Sequence, residues 1–164
     1  MAVTVKKVAI WRTEVEDRPG TLARVLEPLA EADADLKVVM GYRYPGEGSR
    51  AAIEVYPVSG KKLTAAAQSA GLSPVSIPTL LVEGDDRRGL GRKLSAALGD
   101  GGINISYVVA QVVGRKFSAV YGFPAGTDAA RASALIKKAA TPPPKPAKRK
   151  KPAKRKKPAK RKKK

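Results

Sequence analysis

The sequence predicts an α+β protein: two tandem strand–helix–strand–strand–helix–strand units over residues 1–77 and 78–140, followed by a disordered basic tail over 141–164. Three observations carry that expectation. Apolar residues alternate with period two in some segments and recur at helical spacing in others, in an order that repeats. A bend of the form Asp-Arg-x-Gly occurs twice, at Asp17–Gly20 and Asp86–Gly89. The basic excess is confined to one end: 14 of the 33 Lys and Arg residues lie from Lys145 onward, where there is no acid, so the net charge of +19 falls to +5 for the rest.

Val5 to Val15 is β-branched and aromatic enough to form one strand, ended by the turn signal Glu16-Asp17-Arg18-Pro19-Gly20. Leu22, Val25, Leu26, Leu29 and Ala30 then mark one face of a helix. Asp17 is placed to cap it, and Pro28 is expected to kink it or end it early. Leu36, Val38, Met40 and Tyr42 alternate, as do Ala51, Ile53 and Val55, across a loop containing Pro45-Gly46-Glu47-Gly48. Leu63, Ala66, Ala67 and Ala70 predict a second helix stopped by Gly71, and Leu72–Ile77 a short extended piece.

The order then begins again. Thr79–Glu83 reads as a strand, and Leu90, Leu94, Ala97 and Leu98 as a helix face closed by Gly99, Gly101 and Gly102. Ile103, Ile105, Tyr107 and Val109 alternate, and Phe117, Ala119, Tyr121 and Phe123 pair back after Gly114-Arg115. Asp128 caps a last helix carrying Ala132, Leu135, Ile136 and Ala139. A shift of 69 residues carries Asp17, Arg18 and Gly20 onto Asp86, Arg87 and Gly89, and Val25, Leu29, Leu36 and Met40 onto Leu94, Leu98, Ile105 and Val109. A constant offset across turn, helix and strand is the mark of a duplicated unit. The second copy has no visible closing strand before Thr141-Pro142-Pro143-Pro144; Leu72–Glu83 is a candidate to serve both halves.

With Asp17-Arg18-Pro19-Gly20-Thr21-Leu22 between first strand and first helix, and Gly101-Gly102-Ile103-Asn104-Ile105 leading into a second strand, residues 5–140 resemble the ACT domain family. The resemblance implies ferredoxin-like modules, each an antiparallel sheet backed by two helices, that commonly pair as dimers. It also implies an amino acid held near the strand–helix bend, with contacts from the start of the second strand. Carried onto this chain, the ligand-binding residues are Asp17, Arg18, Pro19, Gly20, Thr21 and Leu22 in the first copy. In the second they are Asp86, Arg87, Arg88 and Gly89, with Asn104, Ile105 and Ser106; residues 34–36 would face the first bend. The chemistry agrees. Glycine allows close backbone approach, free amides at a helix start favour a carboxylate, Asp suits an ammonium and Arg a carboxylate. The second bend departs from the family pattern, with Arg88 where proline is usual and Gly91 where an apolar residue is usual. Both bends can equally be turns that need glycine for backbone reasons alone.

Lys-Pro-Ala-Lys-Arg-Lys recurs in register at 145–150, 151–156 and 157–162. Like charges repel and proline blocks helix, so the segment is expected to be extended, in composition similar to linker-histone tails. Lys148, Arg149, Lys150, Lys151, Lys154, Arg155, Lys156, Lys157, Lys160, Arg161 and Lys162 are the expected contacts to DNA or RNA phosphates, without sequence reading.

The absence of Cys and His excludes thiolate and imidazole chemistry, and no catalytic constellation, phosphate loop or metal-ligand cluster is apparent; the adjacent Asp85 and Asp86 make a poor metal site. No cofactor is expected. Trp11, Tyr42, Tyr44, Tyr107 and Tyr121 fall on predicted strands and read as core or interface residues rather than base-stacking platforms. Without an apolar leader or span, the chain is expected in the cytoplasm, with nucleoid association through its tail. Three functions stay open: a non-enzymatic regulator that binds a small metabolite, a nucleic-acid-associated structural protein whose folded part only dimerises, and a subunit that regulates a separate enzyme.

Overall fold

The computed structural model describes residues 3–46 and 48–141; the basic repeats and their expected phosphate contacts lie outside the described residues. Among the described residues, two four-stranded antiparallel sheets and four helices make up the α+β fold. The expected single strand over residues 5–15 is two strands, β1 (Thr4–Val8) and β2 (Trp11–Glu16), parted at Ala9-Ile10 and belonging to different sheets. After α1 (Thr21–Glu31), β3 (Val38–Arg43) and β4 (Arg50–Tyr56) form the hairpin, and α2 (Lys61–Ser69) leads to β5 (Ser73–Pro74). These complete the first sheet in the order β3-β4-β2-β5.

The second half runs through β6 (Thr79–Asp85), α3 (Leu90–Asp100), β7 (Tyr107–Val113), β8 (Lys116–Gly122) and α4 (Ala129–Ala140). Its sheet has the order β1-β6-β8-β7. The missing closing strand is therefore β1, with Val5 opposite Val82 and Lys7 opposite Leu80. Leu72–Glu83 does not serve both halves; it is split, β5 pairing with β2 and β6 lying in the other sheet. Ile10 explains the crossing. It is fully buried, at 0% exposure, in a cluster with Val8, Val38, Met40, Leu81 and Val120 that draws on both sheets.

Strand alternation sorts the rest of the core. Leu80 and Val82 face α3 and α4 with Leu94, Leu98, Tyr121 and Ile136, while Leu81 between them faces the other sheet. In the first half Trp11, Ile53 and Val55 pack against Val25, Leu29 and Ala67 of the helices. The sheets thus meet through the faces their helices leave uncovered. Tyr107 is set into this junction by Gly122 opposite it, where an added Cβ would lie 2.1 Å from the tyrosine ring.

The helix ends separate sound expectations from unsound ones. Asp128 does cap α4, its Oδ1 accepting from the Ala130 and Arg131 amides at 2.8 and 3.1 Å. Asp17 and Asp86 cap nothing: α1 and α3 start at Gly20 and Gly89, both left-handed (φ 85° and 76°), with no side-chain cap. The capping place falls to glycine, three residues past each aspartate, and glycine has no side chain to accept from the first-turn amides. Pro28 does not end α1 at once; the helix passes through it and stops three residues later, at Glu31. Among the described residues no helix is long and apolar enough to cross a membrane.

Candidate functional site

The first bend opens a cleft of ≈ 320 Å³. One side is the chain from Val15 to Leu22, and the other is the hairpin β3–β4. Register explains the opening: Val15 stands opposite Ala51 and Ile53 opposite Gly41, all on the helix-facing side. Ala51 is short and Gly41 has no side chain, with nothing within 4 Å of where its Cβ would be. Thr21 is buried and accepts from Arg24 Nη2 at 3.3 Å, while Leu22 remains 43% exposed beside the cleft. Because no side chain caps α1, its first turn keeps amides for an acceptor.

All six residues expected at this bend lie close together: Asp17, Arg18, Gly20, Thr21 and Leu22 line the cleft, and Pro19 sits exposed between them. Their charges are matched within the protein. Asp17 Oδ2 meets Arg43 Nε at 2.8 Å, and Arg18 Nη2 meets Glu16 Oε2 at 2.8 Å. Sequence reading missed the hairpin wall of Gly41, Arg43, Ala51 and Ile53. Gly41 inside a strand pattern was the available signal, since such a glycine marks a place where something approaches closely.

The second bend is built differently. Leu90 and Phe117 stand where Thr21 and Ala51 stand in the first half, and both are buried (3% and 6% exposed). At Gly84, the counterpart of Val15, an added Cβ would lie 2.8 Å from Val3 Cγ1. Val3, Leu90 and Phe117 therefore fill the equivalent space with core. Arg87 donates to the Ala140 carbonyl at the end of α4, its Nε buried without a hydrogen bond. Asp85 is held by Lys116 at 2.7 Å, and this hydrogen bond keeps its carboxyl below the usual range. Asp86 bonds through its amide to the Arg115 carbonyl, while Arg88 and Gly89 are exposed. Asn104 Oδ1 accepts from the Ile105 amide at 3.0 Å, and the Ser106 amide donates to Gly122. Ile105 packs on the core.

A polar cluster joins the two halves behind the cleft. Tyr42 donates to Glu54 Oε1 at 2.8 Å, and Arg12 Nε lies 3.9 Å from the same oxygen. Glu54 is only 1% exposed, and its Oε2 and Arg12 Nε are buried without a hydrogen bond of normal geometry. Burial, the hydrogen bond and the charge of Glu54 push the Tyr42 hydroxyl up to about 12. Tyr107, from the second half, reaches Glu54 and Thr79, and burial raises its hydroxyl as well.

No family model and no curated protein matches the chain. Solved structures do. Protein BT0572 from Bacteroides thetaiotaomicron is similar with a TM-score of 0.65 at 14% identity, over 82% of this chain and 89% of that one. The ligand-free regulatory subunit of aspartate kinase from Thermus thermophilus has a TM-score of 0.57 at 17% identity, covering 85% and 95%. A putative C-terminal regulatory domain of aspartate kinase from Porphyromonas gingivalis has a TM-score of 0.53 at 11% identity, covering 85% and 96%. At these identities the likeness establishes the fold: two tandem ferredoxin-like modules.

Proposed function

We propose that this chain is a non-catalytic cytoplasmic regulator that binds an amino acid or a similar small metabolite at the bend of its first module and nucleic acid through its tail. The observation that carries this reading is the ≈ 320 Å³ cleft at the first strand–helix bend, in a fold shared with regulatory subunits. An uncapped helix start and an aspartate at one rim suit the carboxylate and ammonium of an α-amino acid. Native mass spectrometry of the full chain with a pooled set of the twenty amino acids tests it. A retained amino acid, lost in Ala51→Phe, is expected; no adduct at all defeats the reading.

Homodimerisation belongs to the same proposal. Three sheet edges are guarded, by Lys6 and Lys7 in β1, by Arg43 in β3, and by the shortness and Pro74 of β5. The fourth edge, β7, carries Val108, Val109, Val112 and Val113 exposed and no charge. An unguarded apolar edge invites pairing with a like strand. Sedimentation velocity is expected to show dimers that Val109→Lys converts to monomers.

For the tail, neutralising ~6–10 phosphates predicts a loss of about 10³–10⁵ in affinity between 50 and 200 mM salt. Deleting 141–164 is expected to abolish DNA retention and leave the dimer intact. Tight DNA binding by the shortened chain would assign the contact to the folded body.

A further inference from the structure

The first-module cleft constrains the kind of molecule it can hold. Its rim is electrically balanced, because Asp17 is matched by Arg43 and Glu16 by Arg18, each at 2.8 Å. A guest carrying net charge meets no unmatched opposite charge there. Its inner wall is aliphatic, made by Val15, Ala51 and Ile53, with Leu22 projecting from α1 and half exposed. A charged side chain laid against that wall is desolvated with nothing to compensate it. An aliphatic one removes apolar surface from water on both partners. Size points the same way. At ≈ 320 Å³ the cleft is at the small end of the ~300–1,000 Å³ usual for ligand sites, with room for one amino acid.

Resting on the regulatory reading above, we propose that the ligand is a zwitterionic α-amino acid with an uncharged aliphatic side chain of valine, leucine or isoleucine size. Its carboxylate takes the free amides at the start of α1, its ammonium lies beside Asp17, and its side chain covers Val15, Ile53 and Leu22. Gly41 admits the branch that a Cβ at that position would exclude. The second module offers no such site, because Leu90 and Phe117 already occupy the equivalent volume with side chains of the same chemistry.

Thermal denaturation of the full chain with single amino acids tests this. Leucine, isoleucine and valine are expected to raise Tm, lysine and aspartate at the same concentration to leave it unchanged, and isoamylamine, which lacks the carboxylate, to do nothing. Ala51→Phe should remove the leucine shift. Because that change touches a buried position, Leu22→Ser at the exposed rim is the second variant, expected to weaken leucine about tenfold while Tm without ligand stays the same. Lysine or aspartate stabilising as well as leucine overturns the proposed ligand class and leaves amino-acid binding standing. Silence from every amino acid overturns both.

Discussion

At the first bend Thr21, Gly41 and Ala51 leave a cleft; at the second, Leu90 and Phe117 fill the corresponding space and Val3 closes it from the side. The inter-sheet faces differ in the same manner. Arg12, Tyr42 and Glu54 in the first module stand where Leu81, Gln111 and Val120 stand in the second. The two bend arginines also part company: Arg18 is held by Glu16 at the surface, whereas Arg87 is tied to the last carbonyl of α4. Under the helices Val25, Leu29, Ile53 and Val55 match Leu94, Leu98, Ala119 and Tyr121, apolar in both copies. Around them the copies differ, one carrying a cleft with a polar cluster behind it, the other a packed support with an exposed edge.

The largest effect expected from breaking this comparison is at Phe117. Phe117→Ala removes a buried ring and should cost about 3–5 kcal/mol, measured by urea unfolding, while opening a cleft in the second module. Next is Glu54→Ala, which strands Arg12 near the inter-sheet junction. A loss of about 3 kcal/mol is expected, toward the low end for a buried pair because Arg12 keeps Glu14 at 3.2 Å. The double change Arg12→Leu with Glu54→Val, copying the second module, should recover most of that loss, since an apolar pair needs no desolvation. A double variant as unstable as the single one would show that the polar hinge stabilises the junction beyond mere compatibility.

Smaller still is the contrast between the arginines. Arg87→Ala should cost about 1–2 kcal/mol by freeing the Ala140 carbonyl, and Arg18→Ala should stay within about 0.5 kcal/mol, its ion pair being exposed. The last contrast is in pH dependence, where water screens the effect because Tyr42 is 40% exposed. The unfolded chain releases the Tyr42 proton near its ordinary value of 10.0, and the folded chain holds it to about 12. The folded state therefore binds more protons across that window, and stability falls as pH rises from about 10 to about 12. Urea midpoints taken over that range should fall less steeply for Tyr42→Phe.

Much of the fold was legible because helix faces and hairpins are local patterns. Val25 and Leu29, or Leu94 and Leu98, show their spacing in any reading of the chain, and Asp128 stands at the start of a helix that nothing displaces. The break between β1 and β2 was not legible. Val8-Ala9-Ile10-Trp11 contains no glycine or proline, and only the open flank of β6, far along the chain, decides that residues 4–8 leave the first sheet. The bend motif coincides with the segment that borders the first-module cleft. It could not show that the second was filled, because Val3 and Phe117 come to that bend from distant points of the chain, one before it and one after. Likewise Arg87 looked free in sequence until α4 brought Ala140 to it.

One titration tests the asymmetry most directly: isothermal calorimetry of the full chain with the amino acid that gives the largest thermal shift. The two-module account predicts one equivalent per chain, abolished by Ala51→Phe and unaffected by Arg88→Ala. Two equivalents per chain, or binding that survives Ala51→Phe, would contradict it.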